Sequence, residues 1–425
     1  MNWGSCGRWS PVKMNKVKAE KVVIPMSQNQ VIVESGKQVL IQNYARLPVA
    51  MVRGAGVHLW DADGKQYIDL FAGFGGAILG HCHPALVAAA TEQAQKLWHV
   101  GNTFYTTPQI EFADRVKRAS FDGRAFFCHS GAEANEAACK LARLRGHQNG
   151  QTRGKIITLH KSFHGRTLAM LAATGSSKYR EGFGPQVPGF AQVDGGDFDA
   201  LQEAVDDETC GILMEPIQGE GGINIYPPGY LLKVRELCDQ RGLTLIYDEV
   251  WTGCGRTGKW FGHQHYTRAD GRVIEPDIMS MGKAIGGGLP AGAIFAKPEL
   301  AALLGPGKHG CTLGGNPICM AVARTIFDVI EREHLLDHAT VLGQHTASRL
   351  RNELGDKAKE VRGKGLFLGA ELVAKPERLV EKGLDRGVLL NVTADTVVRL
   401  APPINITLAE LDAGLDRVID AIKAA

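Results

Sequence analysis

The sequence predicts an α/β protein: a mostly parallel sheet covered by helices on both faces, followed by a smaller α+β domain. Three observations predict it. Short apolar runs of strand length alternate with helical patterns between residues 124 and 250, as βα units do. The texture changes after about residue 317, where two long helical patterns precede two strand-like runs. A chain of 425 residues also exceeds one simple core, so a large domain plus a small one is expected.

The elements follow in order. Residues 1–30 read as a leader: a disordered extension, a weak transit-like segment, or a stretch preceding a start at Met14 or Met26. It has no apolar h-region, so it is no secretory signal. Residues 31–75 form a segment expected to pack with the small domain. There "VHLWDADGKQYIDLFAG" places Asp63-Gly64 between alternating apolar residues, which predicts a hairpin. Residues 76–317 make the large domain. "RAFFCH" is a strand that feeds the helix "AEANEAACKLARLRG"; "KIITLH" (155–160), "GILMEP" (211–216) and "LTLIYDEV" (243–250) are further strands. "YLLKVRELCDQRG" has helical spacing and stops at a glycine. Residues 318–425 make the small domain, with "GLFLGAELV" and "VVRLAPPINIT" as strands and Thr407-x-x-Glu410 opening a last helix.

Composition excludes several classes. Formal net charge is +3, but the first thirty residues hold a net +4, which leaves −1 for the rest. A folded body without basic excess does not offer a nucleic-acid surface. No apolar run approaches the ~20 residues of a membrane span. Nine cysteines without a CxxC pair read as reduced thiols of a cytosolic protein. His81-Cys82-His83 lacks a second ligand cluster at metal spacing, so a turn or interface role is expected there.

Four constellations carry chemistry. In "CHSGAEANEAA" a strand gives way to a helix that Ser130-x-x-Glu133 can cap. Its first amides form an anion site suited to a phosphate, or simply a capped helix start. Asp248 ends a strand that reads as buried on both faces; it either meets a cation or proton, or lies solvated past the strand end. Gly253-x-Gly255-x-x-Gly258, with Glu275 downstream, matches a dinucleotide fingerprint. That would suit an NAD-dependent dehydrogenase, but no apolar-periodic helix follows it. Lys283 ends the next strand, and three glycines stand at 286–288. A desolvated lysine has a lowered pKa and becomes a nucleophile towards carbonyl carbon. A phosphate anchor, a buried acid and an imine-forming amine on one sheet edge are what pyridoxal phosphate requires: its phosphate held, its ring nitrogen kept protonated, its aldehyde bound as a Schiff base.

From about Tyr44 to Pro403 the chain resembles the class III aminotransferases of the fold-type-I pyridoxal-phosphate group. The carriers are "GHCHP" (80–84), "SGAEANEAACKLAR" (130–143), "FHGRT" (163–167), "EPIQGEGG" (215–222), "DEVWTGCGRTG" (248–258), "GKAIGGGLP" (282–290) and "GGNP" (314–317). "NYARLPVAMVRGAGVHLWDADGKQYIDLFAG" and "LWHVGNTFYTTPQ" are most similar to the acetylornithine branch, with ornithine and succinylornithine transaminases close by.

The resemblance implies a seven-stranded-type sheet, pyridoxal 5'-phosphate as cofactor and a cytoplasmic homodimer with a shared site. It implies transfer of an amino group from N2-acetyl-L-ornithine to 2-oxoglutarate in arginine biosynthesis, with ornithine, succinylornithine or 4-aminobutyrate as alternative donors. Lys283 and Asp248 become the catalytic lysine and the ring-nitrogen partner. Gly131, Ala132, Phe163, Val250, Trp251 and Thr312 become cofactor contacts, Thr312 reaching the neighbouring subunit's phosphate. Arg166, Glu220, Arg399, Cys311 and Tyr44 become substrate contacts. Arg399 grips an α-carboxylate and Glu220 covers it otherwise; the plainer alternative for Arg399 is a structural ion pair. Three positions depart from the family's habit: Ala132 stands for threonine, Trp251 for glutamine and Cys311 for serine.

Overall fold

The computed structural model describes residues 26–425. They fall in two compact units that part between Ala50 and Met51. In the first, a helix spans Gln28–Val39. Ser27 caps it: its Oγ accepts from the Gln30 amide at 3.3 Å, and its own amide donates to Gln30 Oε1 at 2.9 Å. Such a reciprocal cap satisfies two otherwise orphaned donors, and the helix takes in the last three residues of the expected leader, Gln28, Asn29 and Gln30. Residues 1–25 of that leader lie outside the described residues.

The second unit holds three sheets. β1 (Met51–Ala55), β2 (His58–Asp61) and β3 (Gln66–Asp69) form an antiparallel meander. The β2–β3 pair is the hairpin expected around Asp63-Gly64. The large sheet contains β4 (Arg124–Cys128), β5 (Lys155–Leu159), β6 (Phe190–Val193), β7 (Thr209–Met214), β8 (Thr244–Asp248), β9 (Ile278–Met281) and β10 (Gly292–Ala296). Its order is β4-β10-β9-β8-β7-β5-β6, and only β10 runs against its neighbours. The third sheet is antiparallel: β11 (Ala358–Lys364) and β12 (Phe367–Leu372), then β14 (Asn391–Thr393) and β15 (Val397–Leu400), in the order β11-β12-β15-β14. Between them in sequence, β13 (Val388–Leu389) pairs in parallel with β3, so the early meander joins the C-terminal part.

The continuous apolar runs of the large sheet follow from its two covered faces. Leu213, Ile246 and Ile278 pack towards the helix Gly131–Gly146 through Ala134, Ala137, Ala138 and Leu141. The alternate residues Ile212, Met214, Leu245 and Tyr247 face Val234, Leu237 and Cys238 of the helix Tyr230–Arg241. Alanines on the first helix let its backbone approach the sheet closely, which brings its N-terminus to the strand ends. The helix Leu335–Leu354 packs on β11 and β12 and on the Thr407-capped helix Leu408–Lys423 in the smaller C-terminal part, whereas the helix Pro317–Arg332 packs chiefly against the helices Pro84–Lys96 and Thr107–Ala119. No helix among the described residues is long and apolar enough to cross a membrane.

Candidate active site

β8 and β9 are parallel neighbours, with Asp248 opposite Ser280. Their C-terminal ends therefore emerge side by side, where an open parallel sheet binds ligands. The helix Gly131–Gly146 starts against them. A Cβ on Gly131 would lie 2.6 Å from Val250 Cγ1, and one on Gly282 would lie 2.9 Å from the Gly131 amide nitrogen. Only glycines at 131 and 282 let the helix start and the residue before Lys283 converge so tightly beside the Val250 side chain. Ser130 caps the helix by accepting from the Glu133 amide at 3.2 Å. Its Oγ donates to Glu133 Oε2 at 2.9 Å, while the Gly131 and Ala132 amides head the helix.

Asp248 is 3% exposed, so it is not a solvated residue past the strand end. Its Oδ2 accepts from Asn135 Nδ2 at 2.7 Å and from His164 Nδ1 at 2.8 Å; its Oδ1 accepts from the Val250 amide at 3.0 Å. A carboxylate only accepts, so His164 carries its proton on Nδ1. Asn135 is itself fixed, donating to the His164 carbonyl at 2.8 Å and accepting from Ser280 Oγ at 2.6 Å. Glu215 lies buried nearby, accepting from the Phe163 amide at 3.0 Å and the Gly219 amide at 2.8 Å. Burial pushes its carboxyl up to about 7, and the Asp248 charge adds to that, against the opposing pull of His164 and the two amides. Asn135, His164 and Glu215 carry no expectation from the sequence. Each lies inside a recognised motif, but only the fold gives it a partner.

Lys283 opens a single 3-10 turn, Lys283–Gly286, with φ at +44°, a region that costs a side-chain-bearing residue energy. Its Nζ stands 4.2 Å from the centre of the Trp251 ring. Burial lowers its ammonium from 10.5 to about 8; Glu220 and Asp248 oppose that shift, and Arg399 reinforces it. An amine at about 8 is partly unprotonated near neutrality.

Arg399, on β15, is fully buried. Its Nη1 donates to Glu220 Oε1 at 2.9 Å and its Nε to Asn391 Oδ1 at 3.2 Å, whereas Nη2 is buried without a partner. Burial pushes the Glu220 carboxyl up, but the charge and hydrogen bond of Arg399, with Lys283 and Trp251, outweigh it and hold the group below its ordinary value. Thr393 Oγ1 pins the Glu220 carbonyl at 2.6 Å.

A cavity of about 530 Å³ opens beside Glu220, lined also by Ser162, Tyr179, Asn224 and Arg362. Arg166 lies 4.1 Å over the ring of Tyr179, one of the lining residues, and 5.4 Å over the Phe163 ring. Thr312 is exposed, and its loop is stitched to the segment 98–109: Asn102 Nδ2 donates to the Cys311 and Gly314 carbonyls, each at 2.9 Å. Cys311 Sγ is 3.3 Å and 3.6 Å from the two nitrogens of the His129 ring, which puts it over the ring face and out of line with either lone pair. Tyr44 belongs to the first unit, where Arg46 lies 5.2 Å over its ring.

Two other motifs resolve. His81 Nε2 bonds Asp69 Oδ2 at 2.9 Å, His83 Nδ1 accepts from the Ala85 amide at 3.3 Å, and Cys82 is exposed; they build a turn and a helix cap. Gly253–Gly258 runs through turns and is followed by the short 3-10 turn Gly262–His265, so the dinucleotide pattern lacks its helix.

The model of the family "Aminotransferase class-III" matches residues 40–422. The acetylornithine aminotransferase of Methanocaldococcus jannaschii is 45% identical over 393 residues, 91% of this chain and 97% of that one. The ornithine aminotransferase of Toxoplasma gondii, crystallised with partial occupancy of PLP at its active site, has a TM-score of 0.88 at 33% identity, over 94% of this chain and 95% of that one. The acetylornithine aminotransferase of Elizabethkingia anophelis has a TM-score of 0.81 at 32% identity, over 93% and 99%. Likeness of this degree along nearly the whole chain, in sequence and in fold alike, means that it belongs to the class III aminotransferases.

Proposed function

We propose that this enzyme uses pyridoxal 5'-phosphate to move the terminal amino group of N2-acetyl-L-ornithine to 2-oxoglutarate, giving N-acetyl-L-glutamate 5-semialdehyde and L-glutamate. The observation that carries this reading is the Glu220–Arg399 pair beside Lys283. One pocket must take a donor that reacts far from its carboxylate and an acceptor that reacts next to its own. A guanidinium covered by a movable carboxylate answers both needs: covered, it leaves the donor's chain undisturbed; uncovered, it grips an α-carboxylate through two parallel bonds. The unpartnered Nη2 of Arg399 leaves one donor for that grip.

The residues fit the cofactor. The Gly131 and Ala132 amides would hold its phosphate at the helix start. Asp248, its carboxylate aligned by Asn135 and His164, would face the ring nitrogen. Phe163 and Val250 would wall the ring, and Trp251 would lie beside it. When bound, the cofactor supplies an electron sink for the amine-bearing carbon. Lys283 Nζ would hold the cofactor through its aldehyde carbon and would move the proton to and from the reacting carbon of the substrate. Arg166 and the Cys311 loop would meet the far carboxylate and the acyl end of the donor. We assign a homodimer in which Thr312 reaches the partner's phosphate. Leu313 on the Thr312 loop, and Trp98, Phe104 and Tyr105 on the segment bonded to it, are large exposed apolar side chains, of the kind that gathers at interfaces. The eight described cysteines are unpaired, which suits the cytoplasm.

The test is a single-turnover panel of amine donors, followed through the visible band of the bound cofactor. N2-acetylornithine should bleach the band at least about tenfold faster, in kcat/KM, than ornithine, succinylornithine or 4-aminobutyrate, one tenfold step being ~1.4 kcal/mol of transition-state preference. Preference for another donor reassigns the substrate. A protein that retains the cofactor yet exchanges with no donor sinks the reading.

A further inference from the structure

The Glu220–Arg399 pair has a third member. Trp251 is buried, and its Nε1–H donates to Glu220 Oε1 at 3.2 Å, the oxygen that also accepts from Arg399 Nη1. The indole is boxed in. A Cβ on Gly75 would stand 2.5 Å from its Cζ3, one on Gly219 would stand 2.9 Å from its Cδ1, and Phe367 stacks on it at 5.2 Å. Lys283 Nζ lies 4.2 Å and Arg399 Cζ 4.7 Å from its ring centre, both within cation–π range. A side chain so confined is a stationary donor.

We propose that Trp251 is a positioning residue that biases Glu220 and Arg399 towards their covered arrangement, and thereby sets the enzyme's relative affinity for α-carboxylate substrates. This rests on the reading of Arg399 given above. For Arg399 to be uncovered, Glu220 must leave both the guanidinium and the indole N–H, because the indole cannot follow. A hydrogen bond to a charged acceptor shifts such an equilibrium on the order of tenfold or more. An α-carboxylate binds only the uncovered fraction, so its apparent dissociation constant falls as that fraction rises. Trp251 therefore weakens glutamate and 2-oxoglutarate binding and keeps the pocket set for the terminal-amine donor.

Glutarate, which carries no reacting group, probes this in the holoenzyme by calorimetric titration. Trp251→Phe retains a ring and drops the N–H. Its glutarate dissociation constant should fall roughly tenfold, while the donor half-reaction slows. A purely packing role would weaken glutarate and slow the donor together. In a Glu220→Ala background, where the covering acceptor is gone, adding Trp251→Phe should change glutarate affinity less than about twofold, because the coupling has been removed. Glutarate affinity that is unchanged or weaker in Trp251→Phe, while Arg399→Ala abolishes glutarate binding, overturns the role of Trp251 and leaves Arg399 as the carboxylate site. If Arg399→Ala binds glutarate as the parent does, the carboxylate assignment fails, and this inference fails with it.

Discussion

Asp248 and Arg399 are both buried charges of one site, yet their surroundings differ. Asp248 has three donors; one, Asn135, is itself held by two further side-chain bonds, and another, His164, is held through its backbone, its Nε2 being buried without a partner. Arg399 keeps one nitrogen unpaired, and its acid partner shares a single oxygen with Trp251. The first arrangement has one low-energy geometry. On the reading proposed above, the second has two: the carboxylate can stay, or an incoming one can replace it. The strand ends then build a fixed floor, and Arg399 of the C-terminal sheet with Glu220 of the turn after β7 builds an exchangeable wall. The contrast matches the demands of a reaction whose cofactor never leaves and whose substrates alternate.

Mutations can break that contrast in graded steps. Lys283→Ala should remove turnover with any donor by at least about 10⁴-fold, as loss of a covalent and proton-transferring group does; steady-state assays of the folded variant check it. Asp248→Asn attacks the floor. Removing one side of a buried charge pair costs about 3–5 kcal/mol, so both half-reactions should slow by roughly equal factors of 10²–10³, with weaker cofactor retention on dialysis. Arg399→Ala attacks only the wall. The glutamate half-reaction should fall about 10²-fold, in line with ~2–5 kcal/mol for a truncated buried charge contact, and the acetylornithine half-reaction by much less. Equal losses would mean that the wall does not exchange, which single-turnover traces for the two substrates decide directly.

The same contrast governs what the sequence disclosed. Asp248 is a charge at the end of an apolar strand and Lys283 a charge just past one, and the cost of burying them is visible locally, before any fold is known, whereas Arg399 came only through the family resemblance. The partners that fix the floor are not. Asn135 lies 113 residues from Asp248, and His164 lies 84 residues from it. Neither departs from what a helix or loop position tolerates, so nothing in the chain flags it. Glu215 sits in "EPIQGEGG", but its neighbours become visible only when β7 and β8 align. The fold class was legible because alternation of apolar runs with helices admits few sheets. The reversed direction of β10 was not, since "GAIFA" reads the same in either sense. Trp251 was legible as a departure, whereas its bond to Glu220 required the box made by Gly75, Gly219 and Phe367.

The smallest effect expected tests the floor through protons. Glu215 has an ordinary value of 4.5, and burial beside the Asp248 charge raises it to about 7 in the fold. Below about 4.5 both folded and unfolded chains hold the proton, and stability does not depend on it. As pH rises from there to about 7, the unfolded chain releases the proton and the folded one keeps it. The folded state then binds more protons, so this group makes stability fall with pH across that window and stay lower above it. Glu215→Gln removes the titration and keeps a polar side chain near the Phe163 and Gly219 amides. The difference in unfolding free energy between Glu215→Gln and the parent should therefore shift in favour of the variant between pH 4.5 and pH 7.5. At ~1.4 kcal/mol per unit of pKa, the whole change is on the order of 3–4 kcal/mol as an upper bound. Denaturant melts of the two proteins at several pH values measure it, and other groups cancel in the subtraction. A flat difference would mean that Glu215 is ionised in the fold despite its burial. Two negative carboxylates would then share the floor, which would therefore need a cation to hold it.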